Sequence, residues 1–328
     1  MSKIVQLLEL EGNKVSKDIK DYSMMLCGAS GIGKTPLVNE IYGEGTLILA
    51  FENSHKGIAG AHAVNIDSYS TLVAYVAQLE NPKVREKYHT IVIDTLYLLD
   101  YLCEKSVTDS YGKDLIRDCL AYNQAYKIVD KKFLSIIKRL QKMNYSLVYI
   151  AHPVEKKVTL MDGTEVVKFE PKVSERIKTH IIPEIDIRLF AMETSEGRKI
   201  YTRSTPYFDA RCRIGEMDEV VDFDAQALKD AFRIGIERVE NKGGETVEHL
   251  ANKHTVVKDN DTFDSVMAQI KMLGQKLTQE GKGQQANDVL VEELGRDDNG
   301  EVRALSSATP QMLGALQTIL VKLQALDK

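Results

Sequence analysis

Five short apolar runs recur along the first half of the chain, at residues 24–27, 46–51, 63–66, 90–93 and 146–151. They are continuous rather than alternating, which is the pattern of strands buried on both faces, as in a parallel sheet. Between them the spacing turns helical. Residues 37–42 follow the first run and stop at Gly43, and residues 71–79 follow Ser70, read here as the helix cap. A long amphipathic stretch over 122–142 carries Val129, Phe133, Ile136, Ile137 and Leu140 at helical spacing. Strands alternating with helices predict a doubly wound α/β core.

The second half reads differently. Residues 158–160 and 166–169 flank Asp162-Gly163, and residues 185–192 and 199–203 flank Ser195-Glu196-Gly197. Both are hairpin signals, expected to extend the parallel sheet with antiparallel strands. Residues 1–21 read as a leader with a strand or hairpin turning at Gly12-Asn13. Residues 241–260 are polar and turn-rich, as in a linker. Helical patterns follow at 263–277, 287–294 and 311–326. The expected layout is a core over 1–240, a linker over 241–260 and a small helical region over 261–328.

Residues 28–35 add chemistry to this frame, reading Gly-Ala-Ser-Gly-Ile-Gly-Lys-Thr. The glycines permit a loop that turns its N–H groups inward around phosphate. The cradle is expected from Gly28, Ala29, Ser30, Gly31, Ile32, Gly33, Lys34, Thr35 and Pro36. Lys34 supplies a point charge at the β- and γ-phosphates, and the Thr35 hydroxyl is a Mg²⁺ ligand. Pro36 falls in the first helical turn, where no intrahelical N–H bond is lost.

Composition narrows the class. The chain has 328 residues, 43% hydrophobic and 28% charged, with no apolar run long enough to span a membrane. No signal-peptide core opens it, and the four scattered cysteines lack ligand spacing, so a reduced cytoplasmic protein is expected. The net charge of −5 is uneven: −8 from Gly215 onward, +3 before it. A mildly basic core suits a polyanionic partner or an ordinary solvated surface.

Three polar residues end apolar runs, where ligands bind in such sheets. Asp94 is placed to hold Mg²⁺ through water, or to cap the next helix. Glu52 is placed as general base for an attacking water, or in a loop ion pair. His152 is placed to bond the γ-phosphate and register its loss, or as a structural histidine. Arg211 and Arg213 flank Cys212, and on the residues alone they read as solvated cations rather than as fingers to a neighbour's nucleotide. Two loops are candidates for single-stranded nucleic acid, where cations interleave with aromatics. One carries Lys105, Tyr111, Lys113 and Arg117. The other carries Lys156, Lys157, Lys168, Phe169, Lys172, Arg176 and Lys178.

The ordered set resembles the RecA-type ATPases: GASGIGKT, Glu52, TIVIDT with Asp94, YIAH with His152, then Arg211-x-Arg213. More narrowly it resembles the AAA-family ATPases of bacteriophages, the Sak-type single-strand-annealing group, over roughly residues 20–235. That resemblance implies a RecA-like fold, ATP and Mg²⁺ as cofactors and hydrolysis coupled to single-stranded DNA. It further implies rings or filaments in which Arg211 and Arg213 reach a neighbour's nucleotide. Members often carry Lys-x-Arg at that last position, and Arg and Lys differ in geometry. A ring helicase, a helicase loader and a nucleotide-gated assembly protein share the core and stay open, as does a single-strand-binding protein as partner of the acidic tail. In a phage the setting would be the host cytoplasm.

Overall fold

The computed structural model describes residues 12–52, 54–251, 263–295, 304–309 and 312–327. Two compact units result, one ending before and one beginning after the undescribed residues 252–262.

In the first unit the apolar runs become strands. β1 (Val15–Ser16), β2 (Met24–Gly28), β3 (Thr46–Ala50), β4 (His62–Asn65), β5 (Thr90–Asp94) and β6 (Ser146–Ala151) come from the first half. β7 (Pro153–Thr159), β8 (Glu165–Pro171), β9 (Ile187–Thr194), β10 (Gly197–Tyr201), β11 (Arg211–Cys212), β12 (Val220–Asp222) and β13 (Thr246–Val247) follow. The helices are α1 (Lys34–Tyr42), α2 (Tyr69–Gln78), α3 (Pro82–Lys87), α4 (Leu96–Tyr111), α5 (Gln124–Lys142), α6 (Glu175–His180) and α7 (Ala225–Asn241).

The main sheet runs β12-β10-β9-β2-β6-β5-β3-β4, with β11 pairing the free part of β9. From β9 to β4 every pairing is parallel, while β10, β11 and β12 are antiparallel additions. This is the α/β architecture the hydrophobic pattern predicts. β2, β3, β5 and β6 are buried at every position because helices cover both faces. Successive side chains alternate between two cores. Met25 and Cys27 join α2, α4 and α5, whereas Met24 and Leu26 join α1 and α7. The order has one consequence for the site: β6 lies between β2 and β5.

Several expectations need correction. The β9–β10 hairpin extends the sheet, but β7–β8 forms its own two-stranded arm. The reason lies in β7, whose Val154, Glu155, Lys156 and Lys157 are all exposed and offer no apolar face to bury. The arm turns at Gly163 (φ +85°) and starts at Pro153, one residue beyond His152. Ser68, not Ser70, caps α2 by accepting the Thr71 N–H at 3.1 Å. Part of the expected linker is fixed to the core: Val15 pairs with Thr246 and Ser16 with Val247, in parallel. Its polar composition hid this backbone pairing. The Leu250 N–H also donates to buried Asp21 at 2.7 Å. Residues 1–11 of the leader and 252–260 of the linker lie outside the described residues.

The second unit packs α8 (Phe263–Gln279), α9 (Gly283–Leu294) and α10 (Leu313–Leu326) around fully buried Val266, Leu277, Leu316, Ile319 and Leu323. Among the described residues no helix is long and apolar enough to cross a membrane.

Candidate nucleotide-binding site

The site is built at the carboxyl end of the parallel strands. β2 delivers Gly28 into the loop and α1 begins at Lys34. A Cβ at Gly28 would lie 2.8 Å from the Ala191 carbonyl oxygen on β9, so only glycine fits that packing. Gly33 caps α1 with φ +102°, a conformation that L side chains rarely adopt. It brings no side-chain hydrogen bond to the first turn, whose N–H groups therefore face outward as anion donors. Pro36 removes none of those intrahelical bonds.

Around this cradle the expected residues converge. Lys34 Nζ donates to the carbonyls of Gly28 (2.9 Å) and Ala29 (2.8 Å) and lies 3.3 Å from His152 Nδ1. His152 Nε2 is 3.4 Å from Glu52 Oε1, which also accepts from Thr95 Oγ1 at 3.3 Å. Thr35 Oγ1 donates to Asp94 Oδ2 at 2.8 Å. Burial lowers the proton affinity of Lys34, while Asp94, Cys27 and Glu52 oppose that effect. Thr35 and Asp94 offer hard oxygen donors from two elements, a set that fits Mg²⁺ with several of its waters retained. Glu52 and His152 are only partly covered, so an attacking water can reach them.

Arg211 and Arg213 sit elsewhere. Arg211 on β11 faces Arg188 on β9, and Arg188 faces Met25, three residues before Gly28. That places Arg211 roughly 10 Å down the strands and about 10 Å across the sheet from the loop. The Arg211 side chain is exposed and forms no hydrogen bond or ion pair among the described residues. Arg213 donates to the Pro183 carbonyl and approaches Asp186 at 3.8 Å. Both sit near Arg188, whose proton affinity is lowered by burial first and then by these two cations, against the pull of Asp209.

The nucleic-acid candidates divide. Lys105 is paired with Asp109 at 2.8 Å, Arg117 with Asp118 at 3.8 Å and Lys156 with Glu170 at 3.7 Å. Lys178 pairs with Glu175 and Glu170, and Lys172 sits over the Tyr97 ring at 4.5 Å. Exposed Lys113 and Lys157, and half-buried Lys168, form no ion pair among the described residues. Arg176 is a correction: its largely covered side chain is held between Asp100 (2.5 Å) and Asp130 (2.6 Å) and joins α6 to α4 and α5. Phe169 is another. It packs against Phe190 at 6.2 Å, within an aromatic cluster, whereas Tyr111 is exposed. A cavity of about 450 Å³ separates the loop residues Ala29–Ile32 from Pro153, Phe169 and the end of β9.

One neighbour of the loop escaped the sequence reading. Arg198 on β10 donates to the Ile32 carbonyl at 2.9 Å. Its only sequence signal was a cation within the second hairpin.

Comparison with known proteins agrees with this geometry. The profile of an AAA domain matches residues 20–214, a span that includes Lys34, Glu52, Asp94, His152, Arg198, Arg211 and Arg213. The chain is also 26% identical over 293 residues to the SPbeta prophage-derived uncharacterized protein YorG of Bacillus subtilis strain 168, covering 86% of this chain and 88% of that one. These likenesses reach the AAA domain and a prophage relative. They stop short of the single-strand-annealing group.

Proposed function

The chain belongs to the AAA domain family, and on that premise we propose that it is a Mg²⁺-dependent ATPase, of phage type, that assembles with its own copies and acts on single-stranded DNA. The carrying observation is the chain of contacts from Lys34 through His152 to Glu52 beside the loop.

In this reading the first-turn N–H groups of α1 and the Lys34 ammonium bind the triphosphate. Thr35 and Asp94 hold Mg²⁺, which neutralises phosphate charge when bound. Glu52 accepts a proton from water as its oxygen attacks the γ-phosphorus. The bond to the β,γ-bridging oxygen breaks, giving ADP and phosphate. His152, between Lys34 and Glu52, registers the departing charge. Arg211, out of reach of its own loop, and its neighbour Arg213 serve a second subunit's nucleotide. Such cations stabilise the charge of the transition state. The β7–β8 arm, with Lys157 and Lys168, is the DNA-facing element, and annealing is the work assigned to it. The prophage origin of the relative supports the phage setting.

The test is ATP turnover with and without single-stranded DNA at low salt, where phosphate-dominated binding is strongest. DNA should stimulate turnover. Glu52→Gln should cut it by roughly 10²–10⁴-fold while nucleotide binding persists. Neither stimulation nor DNA binding at low salt would remove the DNA assignment. Normal turnover in Glu52→Gln would remove the base.

A further inference from the structure

We propose that Arg198 is a positioning residue that holds the Ile32–Gly33 peptide in its phosphate-binding orientation; this rests on the nucleotide reading of the loop above. The contact is specific. Arg198 projects from β10, where it pairs with Glu193, and its carbonyl accepts the Phe223 N–H at 3.1 Å. Its guanidinium lies over the Phe223 ring, 4.8 Å from the centroid, and donates to the Ile32 carbonyl at 2.9 Å. The fit is close: a Cβ on Gly33 would meet Arg198 Nη1 at 3.0 Å and Phe223 Cε1 at 3.3 Å.

The Ile32–Gly33 peptide is trans, so its C=O and N–H point in opposite directions. Pinning the Ile32 oxygen toward Arg198 aims the Gly33 N–H the other way. Gly33, without a Cβ, does little to prevent that peptide from turning over. A turned peptide would present a carbonyl oxygen to the anion in place of a donor. Arg198 opposes this with a charge-assisted bond, and Phe223 limits where the guanidinium can go. The hairpin thus completes the cradle from 166 residues away.

The experiment titrates wild type, Arg198→Ala, Arg198→Lys and Lys34→Ala with a fluorescent ATP analogue, beside melting curves taken without nucleotide. Arg198→Ala should weaken binding about tenfold, the scale of one lost hydrogen bond from a charged donor. It should raise KM more than it lowers kcat, with melting close to wild type because the residue is exposed. Arg198→Lys, which keeps a cationic donor, should recover most of the loss. Wild-type affinity in Arg198→Ala overturns the inference, as does a loss that Lys fails to restore. If wild type itself binds no better than Lys34→Ala, the nucleotide reading falls first and takes the inference with it.

Discussion

Thr35, at the start of α1, donates its hydroxyl to Asp94 on β5 across 2.8 Å, although β6 lies between β5 and β2, the strand that leads into the loop. Both groups are buried, at 6% and 2% exposure, so neither exchanges this contact freely with water. The pair is the meeting point of the loop and the sheet. Asp94→Asn keeps the shape and removes the charge. Turnover should fall by roughly two orders of magnitude, as when a single charge-placing group leaves a phosphoryl-transfer site. A Mg²⁺ titration of activity should shift to higher concentration. Unchanged Mg²⁺ dependence would detach Asp94 from the metal.

The distance of Arg211 from its own loop leads to a mixing experiment. Arg211→Ala and Lys34→Ala should each be inactive alone. Mixed, they should regain part of the activity, because some interfaces then pair an intact loop with an intact arginine. Absence of any recovery at high protein concentration would place both functions in one chain. Arg213→Ala should also lower the melting temperature, since Arg213 is anchored to Pro183 and Asp186.

Arg176 should behave as a structural cation. Its removal leaves Asp100, on a side chain 6% exposed, without its charge partner. Arg176→Ala should cost roughly 3–5 kcal/mol, read as a shift in urea midpoint. Arg176→Lys should not restore it fully, because one ammonium cannot reproduce the guanidinium's two placed contacts. A variant that folds normally and loses only DNA binding would return Arg176 to the nucleic-acid surface.

Alkaline pH should destabilise the fold through its buried thiols. Burial pushes Cys27 and Cys103 up to about 12 from 9.0. Above pH 9 the unfolded chain releases these protons while the folded chain keeps them. Each thiol therefore withdraws up to about 1.4 kcal/mol of stability per pH unit between its two values, and nothing below pH 9. Lys34 acts in the opposite sense. Its burial lowers its folded value, so its penalty is relieved as pH rises toward 10.5. Cys27→Ala should flatten the fall in urea-derived stability above pH 9, and Lys34→Met should steepen it.

What was legible in the sequence follows from what each feature depends on. The loop, Asp94, Glu52 and His152 sit at ends of strands whose burial is written in local apolar runs. Their convergence needs only that those strands be parallel. Arg198 was not legible because its reach to Ile32 depends on the register of β9 against β10, set by tertiary packing. Arg176 was misread for a related reason: a basic residue in a polar loop looks solvated until Asp100 and Asp130 are folded around it. Thr246 and Val247 pair through backbone groups, which composition does not report.

The junction at His152 has no slack. β6 ends at Ala151 and the arm begins at Pro153, so a single residue stands between the central sheet and β7. Pro153 fixes its own φ and offers no N–H, which leaves that junction few ways to bend. The Lys172 N–H closes the other side of the junction by donating to the His152 carbonyl at 2.7 Å. The residue whose ring meets Lys34 and Glu52 therefore also fixes, through its backbone, the base of the arm.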